Sequence, residues 1–214
     1  MTWYDNNAQR FIQGSWNLDV HNTLKAWTQN APDNTRALDL GCGSGRDTVH
    51  MLNPGWTVCA IDPSHTMIAH TQKVTAGFAN RLPTHTTDAT GLFQAQPDLV
   101  FDRIWAMASL LHVPTEQIAQ VFDLCVHHLS ENGEMWAAFK APEDGKEPSA
   151  QTVRACGRRF SDFSVQGLKN TLEHTTFSKH KTVEMDVFEE IAANSQGHCT
   201  SWTCVHLRKR SRMS

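Results

Sequence analysis

The 214-residue chain has no marked excess of charge of either sign: 19 Lys and Arg stand against 22 Asp and Glu, a formal net charge of -3. Proteins that hold nucleic acid or anionic membrane surfaces draw affinity from clustered positive charge. A polyanionic partner is therefore disfavoured, and no nucleic acid is expected. No apolar run approaches the roughly 18 uninterrupted residues of a membrane-spanning helix. Met1 to Asn7 also lacks the basic stretch followed by an apolar run that a secretory signal requires. The expectation is a soluble, cytoplasmic protein with no membrane partner.

Cys42, Cys59, Cys125, Cys156, Cys199 and Cys204 include no C-x-x-C pair, and several lie inside apolar runs, so they read as reduced and mostly buried. The twelve histidines include no H-E-x-x-H and no paired Cys/His spacing, and no metal is expected. The length suits one domain, 1–214, with a core at 36–207 behind an N-terminal helical lid at 1–30.

Short apolar runs at 36–40 and 56–61 read as strands, and the segment between them, from Gly45 to Asn53-Pro54-Gly55, as a short helix, which makes a βαβ unit. Ser64 can cap a helix to about Phe78, and a weak third strand covers 84–87. A fourth strand follows at 101–106. From Thr115, Ile118, Val121, Phe122, Cys125, Val126 and Leu129 mark an amphipathic helix. Ser130-Glu131-Asn132-Gly133 should stop it, with Gly133 free to turn left-handed, before a fifth strand at 134–140.

Residues 141–156 read as a loop and 164–175 as a helix capped by Ser164. Strands at 182–188 and 200–207 are joined by Ala193 to Gly197 as an antiparallel return. Alternating elements of this kind predict an α/β fold: an open, doubly wound sheet with an antiparallel return at its edge and ligands beyond the carboxyl ends of the strands. The terminal Arg208-Lys209-Arg210-Ser211-Arg212 reads as a solvated tail.

The chemistry concentrates at Asp39-Leu40-Gly41-Cys42-Gly43-Ser44-Gly45-Arg46, a strand ending in a glycine turn at a helix start. Arg46 stands where a dinucleotide fingerprint needs its third glycine, and no G-K-[ST] is present, so neither a nicotinamide nor a nucleotide phosphate site is favoured. Asp39 would repel a pyrophosphate and attract an ammonium, or it serves the turn amides as a structural acceptor. Asp62, seventeen residues beyond Gly45, can take both hydroxyls of a ribose. As a helix cap it would be redundant with Ser64. Asp88 can receive the amino group of an adenine or act as an ordinary loop aspartate.

These residues together resemble the class I S-adenosylmethionine (SAM)-dependent methyltransferases: 38–45 is similar to the first motif, Asp62 to the acidic second motif, and 101–114 to the fourth-strand region of small bacterial members. The resemblance implies a Rossmann-like methyltransferase fold, a doubly wound, mostly parallel seven-stranded sheet with an antiparallel edge hairpin, with SAM as cofactor and S-adenosylhomocysteine (SAH) as product. It implies cofactor contacts at Asp39, Gly41, Cys42, Gly43, Gly45, Arg46, Asp62, Pro63, Asp88 and Ala89, and near the sulfonium at Trp105, Ala106 and Met107. The Asn/Asp-Pro-Pro-aromatic motif of nucleic-acid amino-methyltransferases is replaced by Ala106-Met107-Ala108-Ser109, which points to a small-molecule acceptor.

Methyl transfer from SAM requires alignment of the acceptor lone pair and exclusion of water. His112 is the candidate general base, and its other reading is a hydrogen bond to the turn. Trp3, Tyr4, Lys140 and Arg159 are candidate acceptor contacts, while Trp16 and Trp202 read as packing residues. The competing reading is a SAM- or SAH-binding sensor or scaffold without turnover. Oligomeric state and the attacking atom are not specified by any motif.

Overall fold

A computed structural model describes residues 2–143, 151–179, 182–193 and 199–211. The chain divides into two compact units, Met1–Ile104 and Trp105–Ser214.

The first unit opens with helices α1 (Trp3–Trp16) and α2 (Asn22–Asn30), then alternates β1 (Arg36–Leu40), α3 (Arg46–Leu52), β2 (Thr57–Ile61), α4 (His65–Val74), β3 (Thr84–His85) and α5 (Ala89–Ala95). Strand β2 pairs in parallel with β1 and with β3. In β1 and β2 every residue after the first is buried, as expected of parallel strands covered on both faces. Asp39 lies inside one of these buried runs.

Strand β4 (Phe101–Met107) ends the first unit and begins the second. The second unit continues with α6 (Ile118–His127), β5 (Leu129–Lys140), β6 (Thr152–Val153), β7 (Arg159–Phe160), α7 (Val165–Leu172), β8 (Val183–Ala193) and β9 (Cys199–Lys209). Strand order is β3-β2-β1-β4-β5-β9-β8, with β9 antiparallel to both β5 and β8, and β6 and β7 form a separate ribbon. The fold is the expected mostly parallel seven-stranded sheet with an antiparallel edge hairpin. The apolar stripe of α6 is buried at Ile118, Val121, Phe122, Cys125 and Val126.

Several expectations need correction. The helix begun at Ser64 ends at Val74, and 76–81 forms a 3-10 turn. The buried Thr75 hydroxyl donates back to the Thr71 carbonyl at 2.6 Å, a local bond that competes with continued helix. The turn 130–133 lies within β5, and its left-handed residue is Asn132 (φ 64°), not Gly133. Gly133 is needed for space: a Cβ there would lie 2.9 Å from the Ser130 carbonyl oxygen.

The expected loop 141–156 contains β6, and 144–150 lies outside the described residues. The expected hairpin return at 193–197 lies outside them as well, except for the Ala193 backbone at the end of β8. The solvated tail is shorter than expected. Arg208 and Lys209 belong to β9, Lys209 Nζ donates to the Leu129 carbonyl at 2.6 Å, and Arg210 pairs with Glu184 at 2.9 Å. Cross-strand partners supply what a free tail would take from water. Among the described residues no helix is long and apolar enough to cross a membrane.

Candidate cofactor and acceptor sites

In the first unit, β1 ends in a turn whose three glycines, Gly41, Gly43 and Gly45, all have positive φ. Gly43 (φ 52°) and Gly45 (φ 79°) are the most constrained. A Cβ on Gly43 would meet the Phe11 ring at 3.3 Å, and one on Gly45 would meet Thr71 Oγ1 at 2.8 Å and Thr71 Cα at 3.2 Å. The turn is tied to the end of β2 because Gly41 and Cys42 N–H groups both donate to the Ile61 carbonyl, at 2.8 and 2.9 Å.

Asp62, one residue beyond β2, is 8% exposed. Its Oδ2 accepts from Gly43 N–H at 3.1 Å and its Oδ1 from Ser64 N–H at 2.8 Å. Burial raises its pKa, opposed by these two backbone bonds. Each carboxylate oxygen has room for about two hydrogen bonds, so two acceptor positions remain for a vicinal diol. The Ser64 hydroxyl accepts from Met67 N–H and caps α4, so Asp62 is not the cap.

Asp39 is 3% exposed, and its Oδ2 accepts from the Thr48 hydroxyl at 2.5 Å. Burial, reinforced by the charge of Asp47, pushes its carboxyl up to about 7, against the Thr48 bond and Arg46. A buried carboxylate under this strain favours a nearby cation. Arg46 does not neutralise it closely: its Nε donates to Asp47 Oδ1 at 2.7 Å and its Nη1 to the carbonyls of Ser15 and Leu18. Cys42 is buried, its thiol pushed well up by burial, which suits packing rather than nucleophilic chemistry.

Pro63 is exposed and Ala89 is buried in the first turn of α5. The exposed Asp88 caps α5 through Oδ1, which accepts from Gly91 N–H at 2.8 Å. Sequence reasoning did not single out Phe11 or the capping role of Asp5. Asp5 closes a capping box with Thr2 and accepts from the Ser64 hydroxyl at 2.6 Å and from Thr66. Trp3, Tyr4 and Phe11 form a chain of edge-to-face rings with centroids 5.2 and 4.9 Å apart. The Thr2-x-x-Asp5 spacing was the available signal for Asp5. Phe11 had none, because its partner is a glycine reached only in space.

In the second unit, Trp105 and Ala106 are buried and Met107 half-buried. Trp105 stacks on Trp136 at 6.2 Å, so its ring belongs to the core. Ala108 follows with φ 53°, a conformation disfavoured for a residue with a Cβ. His112 Nδ1 lies 2.9 Å from the Arg159 carbonyl oxygen. A carbonyl only accepts, so Nδ1 carries the proton and Nε2 is the basic nitrogen of the neutral ring. Burial lowers the His112 pKa, opposed by this bond.

The Arg159 side chain is exposed. Lys140, a candidate acceptor contact, is half-buried with Nζ 4.1 Å from the centroid of the Trp202 ring, and burial followed by the Arg154 charge lowers its pKa. Trp202 thereby carries a cation on its face, a role beyond packing. Trp16 is 37% exposed and meets only the edge of His70 among the ring contacts described.

A buried carboxylate with two open acceptor positions and a second held unneutralised suit a ligand with a ribose diol and a cation. A pyrophosphate on the glycine turn would be repelled by Asp39. The residues of the first unit thus suit a ligand of the SAM type, and the fold is that of the Rossmann-like methyltransferases.

The family described as "Methyltransferase domain" matches residues 37–133, so this stretch of the chain is similar to that family. It is 27% identical over 160 residues, 72% of this chain and 47% of the relative, to a tRNA U34 carboxymethyltransferase of Shewanella amazonensis. The chain thus spans about half the length of that relative. Among solved structures, a 1,6-didemethyltoxoflavin-N1-methyltransferase of Burkholderia thailandensis aligns with TM-score 0.70 at 14% identity, over 97% of this chain and 84% of that one. The N-methyltransferase NodS of Bradyrhizobium japonicum, in complex with SAH, aligns with TM-score 0.65 at 13% identity, over 98% and 100%.

Proposed function

We propose that this chain binds SAM on the glycine turn of the first unit and transfers its methyl group to a small-molecule acceptor. The observation that carries the reading is Asp62, buried and held by Gly43 and Ser64 N–H groups with acceptor positions to spare. In this reading Asp62 takes the ribose hydroxyls, Asp39 favours the ammonium, and Asp88 and Ala89 lie at the adenine end. Gly41 to Gly45 permit close approach of the backbone. Trp105, Ala106 and Met107, at the end of β4, contribute backbone and the Met107 side chain. SAM supplies an activated methyl carbon and a neutral thioether leaving group.

The remaining work falls to the protein: to orient the acceptor, exclude water and take up a proton where the acceptor carries one. His112 Nε2 is the group for that proton.

Calorimetric titration with SAM, SAH and NADH tests the reading. Micromolar binding of SAM and SAH, weakened at least tenfold in Asp62→Ala, about 1.4 kcal/mol, supports it. Binding of NADH in place of SAM and SAH refutes it. The name of the Shewanella relative motivates a second reading, an RNA acceptor. Tight binding of tRNA that weakens steeply with salt would favour that reading over the first.

A further inference from the structure

In the second unit, residues 159–163 run between the segment after β4 and the end of β5. Ser161 N–H donates to the Leu111 carbonyl at 2.6 Å, and Phe163 N–H donates to the Lys140 carbonyl at 3.0 Å. Asp162 lies between these two ties, at the carboxyl ends of sheet strands, where α/β folds place their ligands. It is 4% exposed. Its Oδ2 accepts from the Thr152 hydroxyl and from Arg154 Nη2, both at 2.7 Å. Its Oδ1 is buried and has no hydrogen-bond partner among the described residues.

A second buried polar atom in the same condition is Ser109 Oγ, directly after the left-handed Ala108 at the end of β4. Buried polar atoms are almost always paired in folded proteins, and an exception calls for a missing partner. Asp162, paired with the Arg154 guanidinium, is a carboxylate and accepts only, so what Oδ1 lacks is a donor. The guanidinium carbons of Arg154 and Arg158 lie 5.3 and 5.1 Å from the Phe160 ring centroid, and the Lys140 charge also acts on this group of residues. Lys140, Arg154 and Arg158 outnumber the carboxylates they face, Asp162 and Glu143, so a further cation is disfavoured and a neutral donor suits Oδ1.

We propose that Asp162 Oδ1 is a specificity-determining contact for the methyl acceptor and takes a neutral N–H or O–H donor of that molecule, and that Ser109 Oγ, at the end of β4, is a second contact for it. The inference rests on the methyltransferase reading above and deepens it. The acceptor class is a neutral amide, amine or hydroxyl compound rather than an anion.

Acetamide and acetate have the same shape and differ in the donor. Each is titrated into the full-length protein, with and without SAH, while the backbone amide resonances of 109–112 and 159–163 are followed by NMR. Acetamide should perturb those resonances and bind at least fivefold more tightly than acetate. Asp162→Asn presents a donor as well as an acceptor, so the preference should shrink or reverse, whereas Arg154→Gln, which breaks the same ion pair, should keep it. If Asp162→Asn does not fold, Ser109→Ala serves in its place and should weaken acetamide. Equal binding, absence of shifts at these residues, a preference retained in Asp162→Asn, or no effect of Ser109→Ala overturns the proposal. Failure of SAH to bind in the same samples refutes the methyltransferase reading instead, and the two failures are read separately.

Discussion

The Asp62 carboxylate accepts a hydrogen bond from the Gly43 N–H at 3.1 Å, so the acidic end of β2 and the glycine turn after β1 form one fixed unit. Gly43 at φ 52° aims that N–H. Loss of either partner disturbs both the turn and the carboxylate.

The glycine turn should tolerate little. Gly45→Ala places a Cβ at φ 79° within 2.8 Å of Thr71 Oγ1 and 3.2 Å of its Cα, and is expected to cost about 2 kcal/mol or more. Gly77→Ala, with nothing within 4 Å and no positive φ, should stay within about 0.5 kcal/mol. Urea denaturation of the two variants beside the wild type measures the difference.

Asp39 should make the stability of the ligand-free protein fall as pH rises. Unfolded, it ionises near 4; folded, near 7. Between these values the folded state holds a proton that the unfolded state has lost, so stability declines by at most about 1.4 kcal/mol per pH unit and levels off above 7. The groups acting on it are Asp47 and Arg46 of α3, Asp62 after β2, and the Thr48 hydroxyl. Asp62, also raised, contributes in the same sense. Asp39→Asn, which keeps an oxygen for Thr48, should flatten much of the decline between pH 5 and pH 7.5 in urea midpoints.

His112 offers a prediction on turnover. Burial lowers its pKa from the ordinary 6.5, which favours an unprotonated Nε2 at neutral pH, so kcat/KM should hold through neutrality and fall on the acid side. In His112→Asn the side-chain amide can still donate to the Arg159 carbonyl. That variant should fold normally and lose roughly 100-fold in kcat, together with the acid limb. Unchanged kcat would leave His112 as a turn-forming residue.

The N-terminal helix is held at its first turn by Asp5, through Thr2, Ser64 and Thr66. Asp5→Ala removes the capping box and the acceptor for Ser64 together, at about 1–2 kcal/mol. Hydrogen exchange should accelerate across α1 while the amides of β1 and β2 remain protected. Uniform acceleration through the whole first unit would mean that α1 is integral to its stability rather than anchored locally.

Local pattern alone determined a large part of this protein. Apolar strands, the α6 stripe, the glycine turn, and Asp39 and Asp62 at the ends of strands one βα unit apart follow from periodicity and from backbone conformations that only certain residues tolerate. They predict an α/β sheet with a ligand at its carboxyl edge. The family profile and the strand order agree with that reading.

What the sequence did not carry were relations between distant residues. Asp5 bonds to Ser64 across 59 positions, Phe11 covers Gly43, and Lys140 rests on Trp202. Asp162 is buried with one oxygen paired and the other open. A linear pattern shows which side chains can hydrogen-bond, but pairing and burial depend on which surfaces meet after folding. Tertiary structure alone therefore decided which carboxylates are satisfied and which still lack a partner.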